Sequence, residues 1–425
     1  MKKPGRMMHN GSSPKPQAAS RSYWPPAVII SAGCLIAMLT WGPRSAAGAM
    51  QLPVLDSYSM STEAFAFAFA LQNLLWGFGQ PFAGALADRF GTQRVLITGG
   101  LFYALGVALM TVSASPTMFT ITVGVITGFG LSGCSLTLIV AGFGKMVPER
   151  MRPLAFGLAS ASGSFGQFVF SPLAGGLIST VGWQTTCLIF AAMLLMIVPM
   201  SFFVASKSMK ETSQATGVRM MSIGETLREA IWHRSYMLIV IGFFTCGFQL
   251  QFITVHFQRY VVESGLSANT GYWAFALVGL FNVAGSLLSG WLCQRYPSRY
   301  VLAAIYFLRA LLTLVFINLA PSPVYALMFG ALSGLLWLST LAPTSAMVNV
   351  MFGPANFGLL YGIAFCSHQI GGFFGVLLGG LIRASTGSYD LTWYLSIALG
   401  VASALISLPI VEKPVGRQAQ PAAAQ

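Results

Sequence analysis

The sequence predicts an all-α polytopic membrane protein, with twelve membrane-crossing helices arranged as two related six-helix bundles. Three observations lead there. The 425 residues are 55% apolar and only 8% charged, with a mean hydropathy of +0.72, a composition that a soluble domain of this size does not carry. Twelve apolar stretches each approach or exceed the roughly 20 residues that a helix needs to span a bilayer. Finally, the charged loop Gly84-Ala-Leu-Ala-Asp88-Arg89-Phe-Gly91-Thr-Gln-Arg94 has a degraded echo about 206 positions later, Gly290-Trp-Leu-Cys-Gln-Arg295-Tyr-Pro-Ser-Arg299. A loop repeated at half the chain length, each copy between apolar segments, indicates an internal duplication.

Residues 1–22 are polar, with Gly, Ser, Pro and Lys and no apolar core, and read as a disordered tail and not a signal peptide. Spans follow at 26–50, 63–84, 94–113, 116–143, 153–179 and 183–205, which makes 23–205 the first bundle. Residues 206–235 form the one long connector. Within it Met221 to Trp232 places apolar residues at helical spacing, which predicts an amphipathic helix on the membrane surface. The second bundle occupies 236–411, with spans at 236–260, 269–291, 299–320, 323–350, 356–382 and 389–410. A polar tail, 412–425, ends the chain. Several spans contain Gly or Pro, which membrane helices tolerate, and no alternating pattern suggests a barrel.

The net charge of +13 does not mark a nucleic-acid surface. Five cations lie in the N-terminal tail (Lys2, Lys3, Arg6, Lys15, Arg21), two in loop 2–3 (Arg89, Arg94) and three in loop 4–5 (Lys145, Arg150, Arg152). Loop 6–7 carries five (Lys207, Lys210, Arg219, Arg228, Arg234), loop 8–9 carries Arg295 and Arg299, and the C-terminal tail carries Lys413 and Arg417. These nineteen share one side, against Arg259 and Arg383 on the other. The positive-inside rule then places both termini in the cytoplasm of a multi-pass inner-membrane protein.

Other function classes find no support. The six cysteines stand in separate spans without metal-like or C-x-x-C spacing, so neither a metal site nor a disulfide framework is expected. No phosphate-cradling G-x-x-x-x-G-K-[ST] loop occurs. No nucleophile, base and metal-ligand set converges in the spans, so no catalytic residues and no cofactor are expected beyond a possible coupling proton. The expected partners are a small anion and membrane lipid, with the protein a monomer. Gly124-x3-Gly128-x-Gly130 and Gly371-Gly-x2-Gly375 read as surfaces for close helix packing.

The polar residues at membrane depth carry the functional signal. All ten acidic residues lie in loops, tails or helix ends, whereas Arg44 in span 1 and Arg309 in span 9 lie within spans. A cation at the membrane centre costs at least about 2.5–3.5 kcal/mol, so each should face a cavity or a partner. With no mid-span carboxylate available, the missing anion is read as the cargo. Two accounts of Arg44 compete. It is near enough to the outer end of its span to extend to the surface, but Trp41-Gly42-Pro43 before it should break the helix and free backbone groups, as at midplane transporter sites. For Arg309 the alternative to cargo binding is a structural gate on helix carbonyls. Histidine is the side chain that titrates near neutrality without help, so His256, and His368 next to Gln369, are the proton-coupling candidates within spans; the alternative is a neutral imidazole bonded inside the bundle. Tyr306, Gln167, His368 and Gln369 complete the candidate cargo set, with packing and interhelical hydrogen bonding as the competing role.

The loop Gly84–Arg94 resembles the signature G-x-L-A-D-R-x-G of the major facilitator superfamily. With Gly42-Pro-Arg44, Gly175-Gly-Leu-Ile-x3-Gly182-Trp183, Gly290–Arg295, Leu377-Leu-Gly379-Gly380 and Thr386-Gly-Ser-Tyr-Asp390, the chain from about 24 to 411 is similar to the monocarboxylate-transporter-like branch, including its bacterial oxalate/formate-type members. The resemblance implies two pseudo-symmetric six-helix bundles around a central cavity, with proton-coupled or exchange transport of small organic anions by alternating access. It implies a cargo-binding cation in span 1, which Arg44 matches. A second is implied in the C-terminal half, where relatives use span 8 or 11 and this chain has Arg309 in span 9. It also implies a conformational gate at Gly84, Asp88, Arg89, Gly91 and Arg94 with Arg295 opposite. The mid-span acid by which some relatives take up a proton is missing. Ser171-Pro-Leu-Ala-Gly-Gly176 partly matches the drug/proton antiporter pattern G-P-x-x-G-G, which keeps drug efflux as the alternative. A membrane sensor is the third reading, though no soluble output domain is present.

Overall fold

The computed structural model describes residues 24–204 and 223–415. The expected tails and the linker up to Ser222 therefore lie almost wholly outside the described residues. Ten described helices have the length and apolarity to cross a membrane. One of these, Glu149–Val204, is two crossings joined at Gly182, and Thr62–Phe90 adds another despite the polar Gln72, Asn73 and Gln80 that lower its hydropathy. The described residues thus carry the twelve crossings expected.

In the first half, α1 is Pro26–Ser45, resumed as Ala47–Tyr58 after a break at Ala46. Then come α2 (Thr62–Phe90), α3 (Thr92–Leu109) and α4 (Pro116–Gly144), with α5 and α6 the segments 152–181 and 183–204. The linker helix is Ile223–Trp232. The second half contains α7 (Arg234–Glu263), α8 (Ala268–Arg295), α9 (Ser298–Asn318), α10 (Pro323–Gly353), α11 (Phe357–Thr386) and α12 (Asp390–Ser407). Serines accept backbone N–H groups where α2, α4 and α8 begin (Ser61, Ser115, Ser267). Both carboxylate oxygens of Glu412 accept the first amides of α9, from Ser298 (3.2 Å) and Arg299 (2.7 Å), an anion on the positive end of a helix.

Two expectations are corrected. Span 1 does not end near residue 50 but continues to Tyr58, because Gly48, against the Thr254 carbonyl, and the small neighbours Ala47 and Ala49 let it run on along α7. Nor does Trp41-Gly42-Pro43 break the helix: α1 passes through Pro43 and breaks at Ala46, with the Ser45 hydroxyl donating to Gly42 O at 2.6 Å.

The duplication is visible in packing. Gly124 and Gly128 of α4 lie against the backbone carbonyls of Ala68 and Gln72 in α2, and Gly330 and Gly334 of α10 lie against those of Ala274 and Val278 in α8, at the same offset as the repeated loop. Gly371 and Gly375 likewise sit on the carbonyls of Phe244 and Phe248. The glycine runs are therefore close-packing surfaces, as read from the sequence. Both α4 and α10 are broken midway, at Cys134–Ser135 and at 337–340, again at matching positions.

The halves are closed against each other at the end opposite the termini. Arg259 donates to Thr62 Oγ1 (2.9 Å), Ser171 to Tyr272 O (2.8 Å), Asn282 to Ser164 Oγ (2.8 Å) and Arg44 to Gln251 (3.0 Å), all across the seam from its middle outward. Toward the termini the helices part. A β-carbon added at Gly84, Gly157, Gly290, Gly358 or Gly362 would meet no atom within 4 Å.

Candidate functional site

The seam is organised around Arg44. Its position late in the first segment of α1, just before the break, carries the guanidinium into the plane where α1, α2, α7 and α11 meet. One nitrogen, Nη2, donates both to Asn73 Oδ1 of α2 (3.1 Å) and to Gln251 Oε1 of α7 (3.0 Å). The other two, Nε and Nη1, are buried with no hydrogen-bond partner among the described residues. The group lies 5.6 Å from the Phe69 ring centroid and the residue is 6% exposed. Its hydrogen-bond partners are amides, so its positive charge has no fixed negative counterpart among the described residues. A cavity of about 40 Å³ inside the first half touches Arg44, Gln72, Tyr103 and Thr127; it accommodates a few waters but not an organic acid. A larger furrow of about 560 Å³ is lined by Phe67, Ile121, Leu377 and Leu381 among others. It lies between the outer ends of α2, α4 and α11, away from Arg44, and we place the site at Arg44.

Around Arg44 stand several candidates. Gln369 of α11 packs its Cβ and Cγ against Gly77 of α2, and its Oε1 lies 3.1 Å from His368 Nδ1. His368 stacks on Phe365 at 5.7 Å. Gln167 of α5 reaches the Phe275 carbonyl across the seam at 3.5 Å. Asn73 and Gln251, the residues that hold Arg44, escape a search for charged groups. The signal available for Gln251 was helical register alone, since it stands 207 positions from Arg44 on the corresponding helix of the second half, one off the repeat.

Arg309 is placed elsewhere. Inside the second half, it donates to the carbonyls of Leu336 (Nε, 3.0 Å, and Nη2) and Trp337 (Nη2), and its Nη1 lies 3.4 Å from Cys246 Sγ. These carbonyls are freed by the break in α10, so the arginine acts as a cation at a helix C-terminus. Its counterpart in the first half is Tyr103, whose hydroxyl donates to Thr40 O at 3.3 Å, and Thr40 in turn donates to Cys134 O at the break of α4. Tyr306 is fully buried and donates to Gly242 O at 2.6 Å.

His256 is also fully buried. Nε2 faces the Val376 carbonyl at 2.9 Å and must carry the proton, which leaves Nδ1 as acceptor for the Tyr389 hydroxyl (3.2 Å) and for Gln51 Nε2 across the seam (3.4 Å). The Gln51 amide oxygen is left without a partner. A second proton on Nδ1 would confront the Gln51 amide nitrogen, so the present contact suits the neutral ring.

The loop residues assigned to a gate lie at the parted end. Gly91 adopts φ 89° and joins α2 to α3 in a single residue, a conformation that favours glycine. Arg89 and Arg94 are exposed, as is Arg295, which lies over the Trp291 ring at 4.4 Å. The side chain of Asp88 lies outside the described residues.

Comparison with known proteins agrees with this architecture. A family model described as Major Facilitator Superfamily matches residues 30–344 and 260–425. The uncharacterized MFS-type transporter YcxA of Bacillus subtilis (strain 168) is 25% identical over 384 residues, 86% of this chain and 91% of that protein. Monocarboxylate transporter 13 of Rattus norvegicus is 25% identical over 347 residues, 78% of this chain and 77% of its own length. Among solved structures, a bacterial homologue of the human lysosomal transporter Spinster, described as inward-facing and unoccupied, superposes with a TM-score of 0.73 at 14% identity, covering 90% of this chain and 96% of that one.

Proposed function

The chain belongs to the Major Facilitator Superfamily and is a multi-pass membrane transporter; on that premise we propose that it moves a small organic anion, a monocarboxylate, across the bacterial inner membrane by alternating access. Both termini then lie in the cytoplasm, and the parted end of the seam opens inward. The observation that carries this reading is the buried Arg44, shared by both halves through Asn73 and Gln251 while two of its nitrogens remain free to bind. A carboxylate taken up there meets the free N–H donors of Nε and Nη1, completes a bidentate fork by displacing Asn73 or Gln251 from Nη2, and supplies the missing charge. Similarity to a protein named as a monocarboxylate transporter supports the same class.

A cationic drug would be repelled by Arg44 and finds no acidic residue within the spans, since the ten acids are in loops, tails or helix ends. Arg309 serves in this reading as a brace for the broken α10. Movement of a proton, if the cycle uses one, falls to His256, His368 or the cargo's own carboxyl group.

The test is binding and counterflow with purified protein. A charge-assisted contact contributes about 1.5–3 kcal/mol, so Arg44→Gln should weaken carboxylate binding roughly ten- to a hundredfold. Lysine should restore little, because an ammonium does not reproduce the planar fork. Unchanged transport by the glutamine variant, or a cationic substrate, refutes the proposal.

A further inference from the structure

In the layer that holds Arg44 through Asn73 and Gln251 the unmatched polar groups are donors, while the unmatched amide oxygens of Gln51 and Gln258 lie two turns further out along α1 and α7. Besides Arg44 Nε and Nη1, these donors are the indole Nε1 of Trp76 and the amide Nε2 of Gln369, on residues 3% and 1% exposed. Gln72 also leaves its amide oxygen unmatched, but it is turned into the first half, where its nitrogen donates to Val123 O at 2.9 Å. A buried donor without a partner costs about 1–3 kcal/mol, and three such residues in one layer of a folded bundle call for a visiting acceptor.

Their placement is common. Trp76 stands one turn from Asn73, which holds Arg44. Gln369 packs on Gly77, next to Trp76, and one turn further along α11 Gly372 lies against Gln251 and Asn73, the two amides on Arg44. On the side facing the termini this layer is covered by aromatic rings. Trp41 meets Trp76 edge-on at 5.4 Å, and Trp76 meets Phe365 across the seam at 6.2 Å. Trp41 precedes Arg44 on α1 by a turn, Phe365 precedes Gln369 on α11 by a turn, and Trp76 follows Asn73 on the oppositely directed α2, so all three are displaced the same way.

Resting on the reading of Arg44 as the carboxylate-binding group, we propose that Trp76 and Gln369 are cargo-binding residues, and that the cargo is a monocarboxylate with a flat apolar tail. The carboxylate accepts from Arg44, Trp76 and Gln369, while the tail lies among Trp41, Trp76 and Phe365. A second carboxylate on the cargo would be pressed into this aromatic layer without a cation, because Arg309 is committed to the α10 carbonyls. The site therefore selects against dicarboxylates.

The experiment titrates the full-length purified protein with benzoate, propionate and succinate, following heat of binding and thermal shift. Benzoate should bind at least tenfold more tightly than propionate, and succinate should be without effect. Trp76→Phe keeps a ring in place but removes the N–H, and should weaken benzoate about tenfold. Gln369→Glu places a like charge beside the carboxylate and should weaken it further, a result readable even if the Trp76 variant does not purify as a single species. Should benzoate and propionate bind equally and both variants remain within twofold of wild type, the tail and the added donors are wrong while the Arg44 reading survives. If none of the three acids binds, or Arg44→Gln binds benzoate as wild type does, both fall together. Preferred binding of succinate overturns the selectivity claim by itself.

Discussion

The closure opposite the termini rests on a latch whose strength is open to measurement. Glu263 accepts from Arg259 Nε at 2.7 Å and from Arg383 at 2.9 Å through both Nε and Nη2, so one carboxylate holds two cations of the second half. Held there, Arg259 uses Nη1 to reach Thr62 Oγ1 of the first half at 2.9 Å. This bond must break when the outer end opens. A charge-assisted hydrogen bond contributes about 1.5–3 kcal/mol when buried. The Arg259 side chain is 11% exposed and its Glu263 partner 28%, so partial solvation reduces the figure to about 1 kcal/mol. That corresponds to about fivefold in the equilibrium between closed and open outer ends. Thr62→Val, which preserves shape, and Arg259→Gln should each shift the population about fivefold toward the outward-open form. The double variant should do no more than either alone, because both remove the same bond. Spin labels at Thr117 and Ser385, exposed at that end on opposite halves, report the shift as a longer distance component. Unaltered distance distributions in both variants, or additive shifts in the double variant, would show that the bond does not bias the transition.

Two further predictions separate structural from transport roles. Arg309→Gln leaves the Leu336 and Trp337 carbonyls without their cation and should destabilise the protein by about 1–3 kcal/mol, read as a fall in melting temperature; the folded fraction should keep wild-type affinity for the anion, and a selective loss of affinity at unchanged stability would instead make Arg309 a ligand. Replacing His256 and His368 together by glutamine should abolish accumulation driven by a pH gradient while counterflow at equal pH persists, compared in proteoliposomes; if the double variant still concentrates cargo, the proton travels with the substrate.

The sequence exposes the large features of this fold and less of its site. Twelve crossings and the duplication are legible because apolar length and a repeated loop are properties of the chain itself. Arg44 is legible for a related reason: a cation in a span stands out against a background with 8% charged residues. Its partners do not. Asn73, Gln251 and Trp76 belong to residue types that occur throughout membrane helices as glue or packing, and only the rotation of each helix decides which of them face the seam. Span 1 is longer than its hydropathy predicts for a similar reason, since the continuation from Ala47 to Tyr58 is held by its packing against α7.

Arg309 marks the boundary between the two kinds of knowledge. By residue type and surroundings in the sequence, Arg44 and Arg309 are alike, two guanidinium groups within spans without an acid to neutralise them. The tertiary structure makes them different: the break in α10 turns two carbonyls toward Arg309, while at Arg44 the two halves supply neutral amides and leave two nitrogens free. By itself the sequence determined that this is a duplicated helical membrane protein with buried cations, because hydrophobic length and the high cost of burying charge act on each segment locally. Which cation braces a helix and which awaits an anion was decided by tertiary structure alone, because hydrogen-bond partners are set by helix rotation and by the meeting of segments about two hundred residues apart.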